Sequence, residues 1–366
     1  MTATLRVMLD QLVAPTDPDL ETASRELVRG LIAGTPAGCD VEAIAPAGRS
    51  VEIPGLAGVR RTALARRELA AALQLGVGTG IGGGMIHSPT LLAPLVKHDR
   101  VHENDQTVVT IWDLGPWDAP GEWPKSAIGW HRAMLKRAVK HADAVVVPTH
   151  SLARQLGGIA KLGERIRVIA GAAPSGFAVP LDEVGRRRAM DLPEGFVLLA
   201  GRAAPTDALA LGFAAVARAG LDLPVVVIGA GEGEEPAIAD LAAAAGVPER
   251  SLHVRGALAA EDRAAVFGGA VTFVAPAQRS ALPWRVLEAL ALGVPVVAAS
   301  SPLHDEVIVD GGMLVDASAE ALGAALGEAL GSTAAVDRLG VLAADRGRAF
   351  SWRESADRVW QLHAEL

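Results

Sequence analysis

One stretch of the chain, residues 275–312, combines residue types that bind a phosphate and a ribose. The β-branched run 271–275 predicts a buried strand, residues 286–292 have helical spacing, and residues 294–298 predict a second strand. In a parallel sheet, ligands lie beyond the carboxyl ends of the strands, where the start of this helix is expected. Unpaired amides at a helix start attract a phosphate, and Glu288, about one turn inside the helix, is placed to reach a ribose hydroxyl.

Two further turns in the second half of the chain carry anion-binding groups. Arg202 follows a predicted strand and its planar guanidinium suits a phosphate, although a structural ion pair is the other interpretation. The segment IGAGEG, residues 228–233, follows another strand, and its glycines let a ligand approach the backbone. Glu234 stands where a dinucleotide fingerprint has its third glycine, so we predict no dinucleotide site. The residues predicted to bind the ligand are Arg202, Glu288, Gly229, Gly231, Arg255 and Leu287.

The first half of the chain offers another group of residues after strands. Trp112 and Asp113 follow the predicted strand 107–111, and His150 follows the strand 144–148. Because we assign both strands to one parallel sheet, we expect the three side chains at the same edge of it. For Asp113, a role in a site and a structural role both remain open.

Strands and helices alternate along the sequence, which is typical of doubly wound parallel sheets. The patterns of the first half predict strands at 5–9, 41–45, 85–87, 107–111, 144–148 and 166–170, and helices at 20–32, 61–75 and 127–142. After a passage rich in glycine, proline and charge, 171–194, they predict strands at 196–200, 224–228, 252–255, 271–275 and 294–298, and helices at 208–219, 235–245, 261–267, 286–292 and 319–330. We therefore predict an α/β protein with two doubly wound, Rossmann-like domains, 1–175 and 195–348, and a C-terminal helix, 349–366, that packs across the domain junction.

Composition excludes several classes of protein. The 366 residues carry a net charge of −8, only 4% are aromatic and tyrosine is absent, which argues against a nucleic-acid binder. Cys39 is the single cysteine, so an internal disulfide and a thiolate cluster are excluded and a cytoplasmic location is expected. His98 and His102 lack a helical pattern and a third ligand, so no metal site is predicted. Neither a signal peptide nor a membrane span is predicted.

The helix predicted at 127–142 has a basic face formed by Arg132, Lys136, Arg137 and Lys140. Such a face suits peripheral contact with anionic lipid at the inner side of a membrane. A solvated helix face is the other interpretation.

Several blocks of the sequence resemble glycosyltransferase family 4. They are IHSPTLLAPL (86–95), TIWDLGPW (110–117), WHRAMLKRAVKHADAVVVPTHS (130–151), LLAGR (198–202), VLEALALGVPVVAA (286–299) and FSW (350–352). The resemblance implies GT-B architecture, in which two Rossmann-like domains face each other across a cleft. It also implies a retaining transferase, similar to the bacterial mannosyltransferase-like members, that needs no metal. Such an enzyme moves a hexose from a nucleotide diphosphate sugar, GDP-mannose or a UDP-sugar, to a polysaccharide or lipid-linked acceptor.

The chain departs from that family at positions that matter for catalysis. Asp207 stands where the family has a lysine that lies on the diphosphate with Arg202, and a carboxylate there repels a phosphate. Ser280 replaces the first glutamate of the E-x7-E motif, whose second glutamate is Glu288, and Trp112 replaces the histidine of T-I-H-D. The catalytic positions implied by the resemblance are Asp113, Trp112 and Ser280.

These departures lead to two functional hypotheses. The glycine pair expected after the first strand is also missing, since residues 17–21 are DPDLE. Losing one charged contact to a developing diphosphate charge costs about 10²- to 10³-fold in rate. The first hypothesis is an active glycosyltransferase. The alternative is a catalytically impaired protein of the same fold that serves as a binding or assembly partner of an active paralogue, in a hetero- or homo-oligomer.

Overall fold

The computed structural model describes residues 3–99 and 105–366. Its strands are β1 (Ala3–Met8), β2 (Cys39–Ala47), β3 (Gly58–Ala65), β4 (Met85–Ser88), β5 (Gln106–Thr110), β6 (Ala144–Val147), β7 (Ile166–Val168), β8 (Phe196–Ala200), β9 (Val225–Ile228), β10 (Leu252–Val254), β11 (Ala270–Ala275), β12 (Val296–Ala299) and β13 (Met313–Val315). Its helices are α1 (Asp10–Val13), α2 (Pro18–Ala33), α3 (Arg66–Leu75), α4 (Gly115–Asp118), α5 (Lys125–His141), α6 (His150–Ile159), α7 (Glu183–Ala189), α8 (Leu209–Ala219), α9 (Glu235–Ala244), α10 (Ala260–Gly269), α11 (Trp284–Leu292), α12 (Pro302–Ile308), α13 (Ala319–Ala329), α14 (Thr333–Gly347) and α15 (Trp352–Glu365).

The chain divides into two compact units. Unit 1 consists of Met1–Gly171, Ser280–Leu282 and Ser351–Leu366, and unit 2 of Ala172–Arg279 and Pro283–Phe350. The short segment Ser280–Leu282 therefore belongs to unit 1 although the chain on both sides of it belongs to unit 2.

Unit 1 is built on a parallel sheet with the strand order β3-β2-β1-β4-β5-β6-β7. The central strands β5 (QTVVT) and β6 (AVVV) are buried along their whole length, as expected of parallel strands covered on both faces. The order reverses between β1 and β4, so the crevice beyond their carboxyl ends is where a ligand site is expected.

The predicted helix at 61–75 is wrong at its start, because residues 61–65 complete β3 and α3 begins at Arg66. In β3, Gly58 lies opposite Glu42 and Ala65 lies opposite Ala47 in a parallel ladder. This pairing outweighs the helix propensity of arginine and alanine. Most of the side chains of β3 are exposed at the sheet edge, so no buried alternation reveals the strand in the sequence.

Unit 2 is built on a second parallel sheet with the order β10-β9-β8-β11-β12-β13. Its core contains fully buried residues from the sheet and from α8 and α13, including Val197, Val227, Phe213 and Leu326. The order reverses between β8 and β11, so the turn after β8 borders the crevice where a ligand site is expected, and the turn after β9 follows the neighbouring strand at the same carboxyl edge. Two parallel sheets flanked by helices confirm the predicted α/β class with two Rossmann-like domains.

The passage 171–194, where the sequence loses its periodicity, contains the helix α7 within unit 2. Its buried residue is Arg187, which is 3% exposed, donates to the carbonyl of Ala265 at 3.2 Å and pairs with Glu194 at 3.1 Å. Because the buried side chain is an arginine, the helix has no apolar stripe by which the sequence could reveal it.

The C-terminal helix α15 belongs to unit 1, where it packs against α2. Gly30 permits the close approach, since a Cβ there would lie 2.7 Å from the carbonyl oxygen of Trp352. The indole N–H of Trp360 donates to the carbonyl of Leu31 at 3.0 Å, and Ser355 Oγ donates to the carbonyl of Ala170 at 2.6 Å. The last residues of the chain thus stabilise the first unit; their position across a domain junction stays a prediction.

Candidate functional site

The turns after β8 and β9 converge on one carboxylate, that of Glu234. Arg202 donates from Nη2 and Nε to Glu234 Oε1 at 2.8 and 3.2 Å. The other oxygen accepts backbone N–H bonds from Gly231 at 2.8 Å and from Ala203 at 3.1 Å. Gly229 has a φ of +81°, which favours glycine and shapes the second turn. The turns thus form an anion-binding group of donors, and the Arg202 bond is the largest cause that lowers the pKa of Glu234.

Asp207 is also held by one cation and one backbone amide. Its Oδ2 accepts the backbone N–H of Arg202 at 2.6 Å, and its Oδ1 pairs with Arg279 Nη1 at 2.7 Å. A Cβ at Gly201 would lie 2.9 Å from the Cβ of Asp207, so only glycine allows this approach. Sequence reasoning missed Arg279, because its partner lies seventy-two residues away. The charge that this aspartate brings is therefore balanced by Arg279.

Glu288 lies inside unit 2 as part of a three-residue ion cluster. Its side chain is 2% exposed, and Arg263 donates to it from Nη2 at 2.8 Å and Nε at 3.1 Å. Arg285 Nη1 donates to the other oxygen at 2.7 Å. Both carboxylate oxygens are thus engaged by arginines, and the predicted contact with a ribose stays a prediction.

Leu287 and Arg255, also predicted to bind the ligand, make contacts within unit 2. Leu287 is 1% exposed, and its backbone N–H donates to the carbonyl of Pro283 at 3.1 Å. Arg255 donates from Nε to the carbonyl of Met190 and from Nη1 to that of Val254, both at 2.7 Å. These contacts favour a structural role for both residues.

Trp112, Asp113 and Ser280 come together in unit 1. The backbones of Asp113 and Ala281 form an antiparallel bridge, flanked by bonds from Leu114 N–H to Ser280 O at 2.8 Å and from Leu282 N–H to Trp112 O at 3.0 Å. Trp112 is 6% exposed and donates its indole N–H to the carbonyl of Pro89 at 2.8 Å. Trp112 therefore contributes to the core of unit 1.

Asp113 is half-buried and lies near a histidine that sequence reasoning did not select. One Asp113 oxygen accepts the N–H of Gly115 at 2.9 Å. Burial lowers the pKa of His131, while the charge of Asp113 acts in the opposite direction. His131 Nδ1 lies 2.8 Å from the carbonyl of Ala127, so Nδ1 carries the proton and Nε2 is the acceptor of the neutral ring. The ring makes edge contacts with three tryptophans, Trp117, Trp123 and Trp130.

Two acidic residues share this edge of the first sheet. Burial raises the pKa of Asp17, with Asp19 and Asp113 adding repulsion, while its carboxylate caps the start of α2. Burial also raises the pKa of Asp10, against the attraction of Arg66, whose Nε donates to it at 2.8 Å. Sequence reasoning missed Asp10, although its position directly after β1 was an available signal.

The remaining candidates are the histidines that the sequence analysis considered. His150 is exposed at the first residue of α6. His98 Nε2 lies 2.8 Å from Asp143 Oδ2, and His102 lies outside the described residues. Among residues 3–99 and 105–366, no group of three acidic, histidine or cysteine side chains is placed to hold a metal ion.

The basic face of α5 is only partly exposed. Arg137 Nη2 donates to the carbonyl of Leu95 at 2.5 Å, and Arg132 Nη2 lies 3.5 Å from that of Pro116. Arg132, Lys136 and Lys140 are exposed, and Arg137 is half-buried. In the described part of the chain, no helix has both the length and the apolar character to cross a bilayer.

Comparison with known proteins identifies the fold. Residues 195–332 match the family model "Glycosyl transferases group 1", and no curated protein matches the chain significantly. Sucrose-phosphate synthase from Thermosynechococcus elongatus is 20% identical with a TM-score of 0.73, over 99% of this chain and 98% of that one. Anabaena HepE in complex with UDP and glucose is 14% identical with a TM-score of 0.72, over 100% of both chains. The glycosyltransferase from Rickettsia africae ESF-5 is 14% identical with a TM-score of 0.66, over 100% and 98%. Two Rossmann-like units with these neighbours establish the GT-B fold that glycosyltransferases share.

Proposed function

We propose that this protein is a glycosyltransferase that moves a hexose from a nucleoside diphosphate sugar to a glycan or lipid-linked acceptor, with retention at the anomeric carbon. The observation that carries the proposal is the group of donors from Arg202, Ala203 and Gly231 that surrounds an anion at the edge of the second sheet. These donors lie within residues 195–332, the region that matches a glycosyltransferase model. The donor is a UDP-sugar or GDP-mannose; HepE, which binds UDP and glucose, supports the former.

In this reaction the bond between the sugar and the diphosphate breaks, and negative charge grows on the leaving phosphate. The Arg202 guanidinium and the two backbone N–H groups stabilise that charge, which is worth about 10²- to 10³-fold in rate for one good donor. In unit 1 we assign the acceptor hydroxyl to Asp113 and to His131 Nε2, the acceptor nitrogen of a neutral ring. The bond that forms joins the acceptor oxygen to the anomeric carbon, and the proton of the acceptor hydroxyl passes to His131 Nε2.

The second candidate function is a binding or assembly partner of an active paralogue. Two ion pairs, Arg202 with Glu234 and Arg279 with Asp207, favour this alternative. They satisfy the charges of the anion-binding turns without a ligand. An impaired transferase retains such a fold while its diphosphate site stays filled by the protein itself.

Calorimetric titration with UDP, GDP and their glucose, N-acetylglucosamine and mannose conjugates separates the two functions, together with an assay of donor hydrolysis. Binding with turnover of one sugar nucleotide supports the transferase. Binding of a nucleotide without hydrolysis or transfer in any acceptor extract supports the partner function. If no nucleotide binds at millimolar concentration, the enzyme proposal is refuted.

We also propose that the protein works in the cytoplasm and contacts anionic membrane lipid through α5. Arg132, Lys136 and Lys140 are exposed cations of the basic face, and the two lysines are the ones replaced in the test. Each cation near a membrane surface contributes about 1 kcal/mol of attraction. Co-sedimentation with phosphatidylglycerol vesicles should therefore fall in the double variant Lys136→Glu, Lys140→Glu, and equal binding to neutral phosphatidylcholine vesicles would contradict the proposal.

A further inference from the structure

The anion-binding turns of unit 2 already contain an anion. Glu234 takes the Arg202 guanidinium and the N–H groups of Ala203 and Gly231, with four distances between 2.8 and 3.2 Å. We infer that Glu234 is an internal competitor of the donor diphosphate, so that its carboxylate must leave these donors before the phosphates bind. This inference rests on the proposed function, because it concerns the same donors.

The donors are too few for both anions. Each backbone N–H makes one strong hydrogen bond, and both N–H groups are bonded to the carboxylate of Glu234. A phosphate beside that carboxylate would also meet a like charge at contact distance, which disfavours both anions. Binding of the diphosphate and release of Glu234 are therefore one coupled event.

Glu234 is the carboxylate of this region that is able to move. Its side chain is 22% exposed, and its partner Arg202 is 64% exposed. Exposed ion pairs contribute little to stability, so replacing the Glu234 carboxylate by another anion costs little free energy. Asp207, by contrast, is 6% exposed and held between Arg279 and the backbone N–H of Arg202.

The charges of these side chains explain why the exchange controls affinity. Arg202 and Arg279 carry two positive charges, while Glu234 and Asp207 carry two negative ones, so the four groups sum to zero. When the Glu234 carboxylate swings out, the remaining three have a net charge of +1. A diphosphate is attracted only to this second state, and the wild-type affinity is reduced by the fraction of molecules that occupy it.

The test compares the affinities of UDP and GDP, by calorimetry, for the wild type and for Glu234→Gln. Glu235→Gln is the matched control. It removes the same charge from an exposed side chain that lies one residue further along the chain. We expect Glu234→Gln to bind at least one nucleotide about tenfold more tightly than the wild type, which corresponds to about 1.4 kcal/mol. Glu235→Gln should stay within about threefold of the wild type. In the double variant Arg202→Ala, Glu234→Gln the gain should disappear.

Each other outcome overturns the inference in a recognisable way. Equal nucleotide affinities for the wild type and Glu234→Gln refute competition by Glu234 and leave the proposed function intact. An equal gain in nucleotide affinity for Glu234→Gln and Glu235→Gln would mean that the loss of one nearby negative charge explains the effect. That outcome also refutes competition by Glu234. Absence of binding in all variants refutes both the inference and the proposed donor site. If Glu234→Gln does not fold, Glu234→Ala replaces it in this comparison. The alanine removes the carboxylate from the turns and adds no amide.

Discussion

The buried histidine pair at the end of the chain makes unit 1 sensitive to acid. His363 in α15 donates from Nδ1 to Gln106 Oε1 at 2.9 Å, and its Nε2 lies 3.4 Å from Nδ1 of His87. Burial lowers the pKa of His363 to about 4 and holds the pKa of His87 well below its ordinary value. Both rings are therefore neutral in the folded unit at neutral pH, and a proton added to His363 Nε2 would face the N–H of His87 Nδ1.

The size of the effect follows from proton linkage. An unfolded histidine takes up its proton near pH 6.5, whereas folded His363 remains neutral down to about pH 4. The free energy of unfolding is thus unaffected above pH 6.5 and falls between pH 6.5 and pH 4 by about 1.4 kcal/mol per pH unit for one histidine. His363 alone removes about 2 kcal/mol at pH 5 and about 3 kcal/mol in full, and His87 acts in the same direction.

Urea unfolding followed by tryptophan fluorescence measures this loss in unit 1, because six of the seven tryptophans belong to it and only Trp284 belongs to unit 2. The variant His363→Asn retains an amide donor near the Nδ1 position and loses the titrating ring. Between about pH 7.5 and pH 5 its free energy of unfolding should fall by about 2 kcal/mol less than that of the wild type. His253→Asn, in unit 2, is the control and should keep the wild-type slope. Identical slopes for the wild type and His363→Asn would refute the role of the buried pair.

Two other substitutions test the packing of each unit. Gly30→Ala should destabilise unit 1 by about 1 to 3 kcal/mol, because its Cβ would lie 2.7 Å from the carbonyl of Trp352, whereas Gly157→Ala in α6, with no neighbour within 4 Å, should be neutral or stabilising. Equal unfolding midpoints for the two alanine variants in urea would contradict this account of the α2 and α15 contact. Arg263→Met should destabilise unit 2 by about 3 to 5 kcal/mol, because it leaves Glu288 buried with one arginine fewer. Thermal unfolding that matches the wild type would show that the cluster does not depend on this arginine.

The fold was largely predictable because its signals are local. Apolar runs such as β5 and β6 mark buried parallel strands, and their alternation with helices specifies the class of the sheet. The failures occur where local sequence and structure disagree. The edge strand β3 is held by pairing with β2 rather than by a buried face, and α7 buries an arginine in place of an apolar stripe.

The candidate site was predictable in position but only partly in composition. Arg202 and the glycines of 228–233 follow strands, and the rule for parallel sheets is enough to locate them. The charges that neutralise one another belong to residues that are far apart in the sequence. Glu234, for example, lies thirty-two positions from its partner Arg202. A pattern read along the chain cannot reveal such partners, so the sequence presents Asp207 as a repulsive charge when the structure supplies its counter-ion.

The ion pair with Arg279 changes the interpretation of Asp207, which stands where the resemblance predicts a lysine. A lysine replaced by an aspartate alters the local charge by two units, which would abolish phosphate attraction if nothing compensated for it. Arg279 returns one positive charge beside Asp207, with its own side chain 47% exposed and thus accessible to a ligand. The distinction between a transferase and an impaired relative therefore depends less on Asp207 than on whether a sugar nucleotide displaces Glu234 from Arg202. If the donor displaces it, Arg202 and Arg279 together supply the two cations that the resemblance assigns to an arginine and a lysine, and we expect a diphosphate site of weaker affinity.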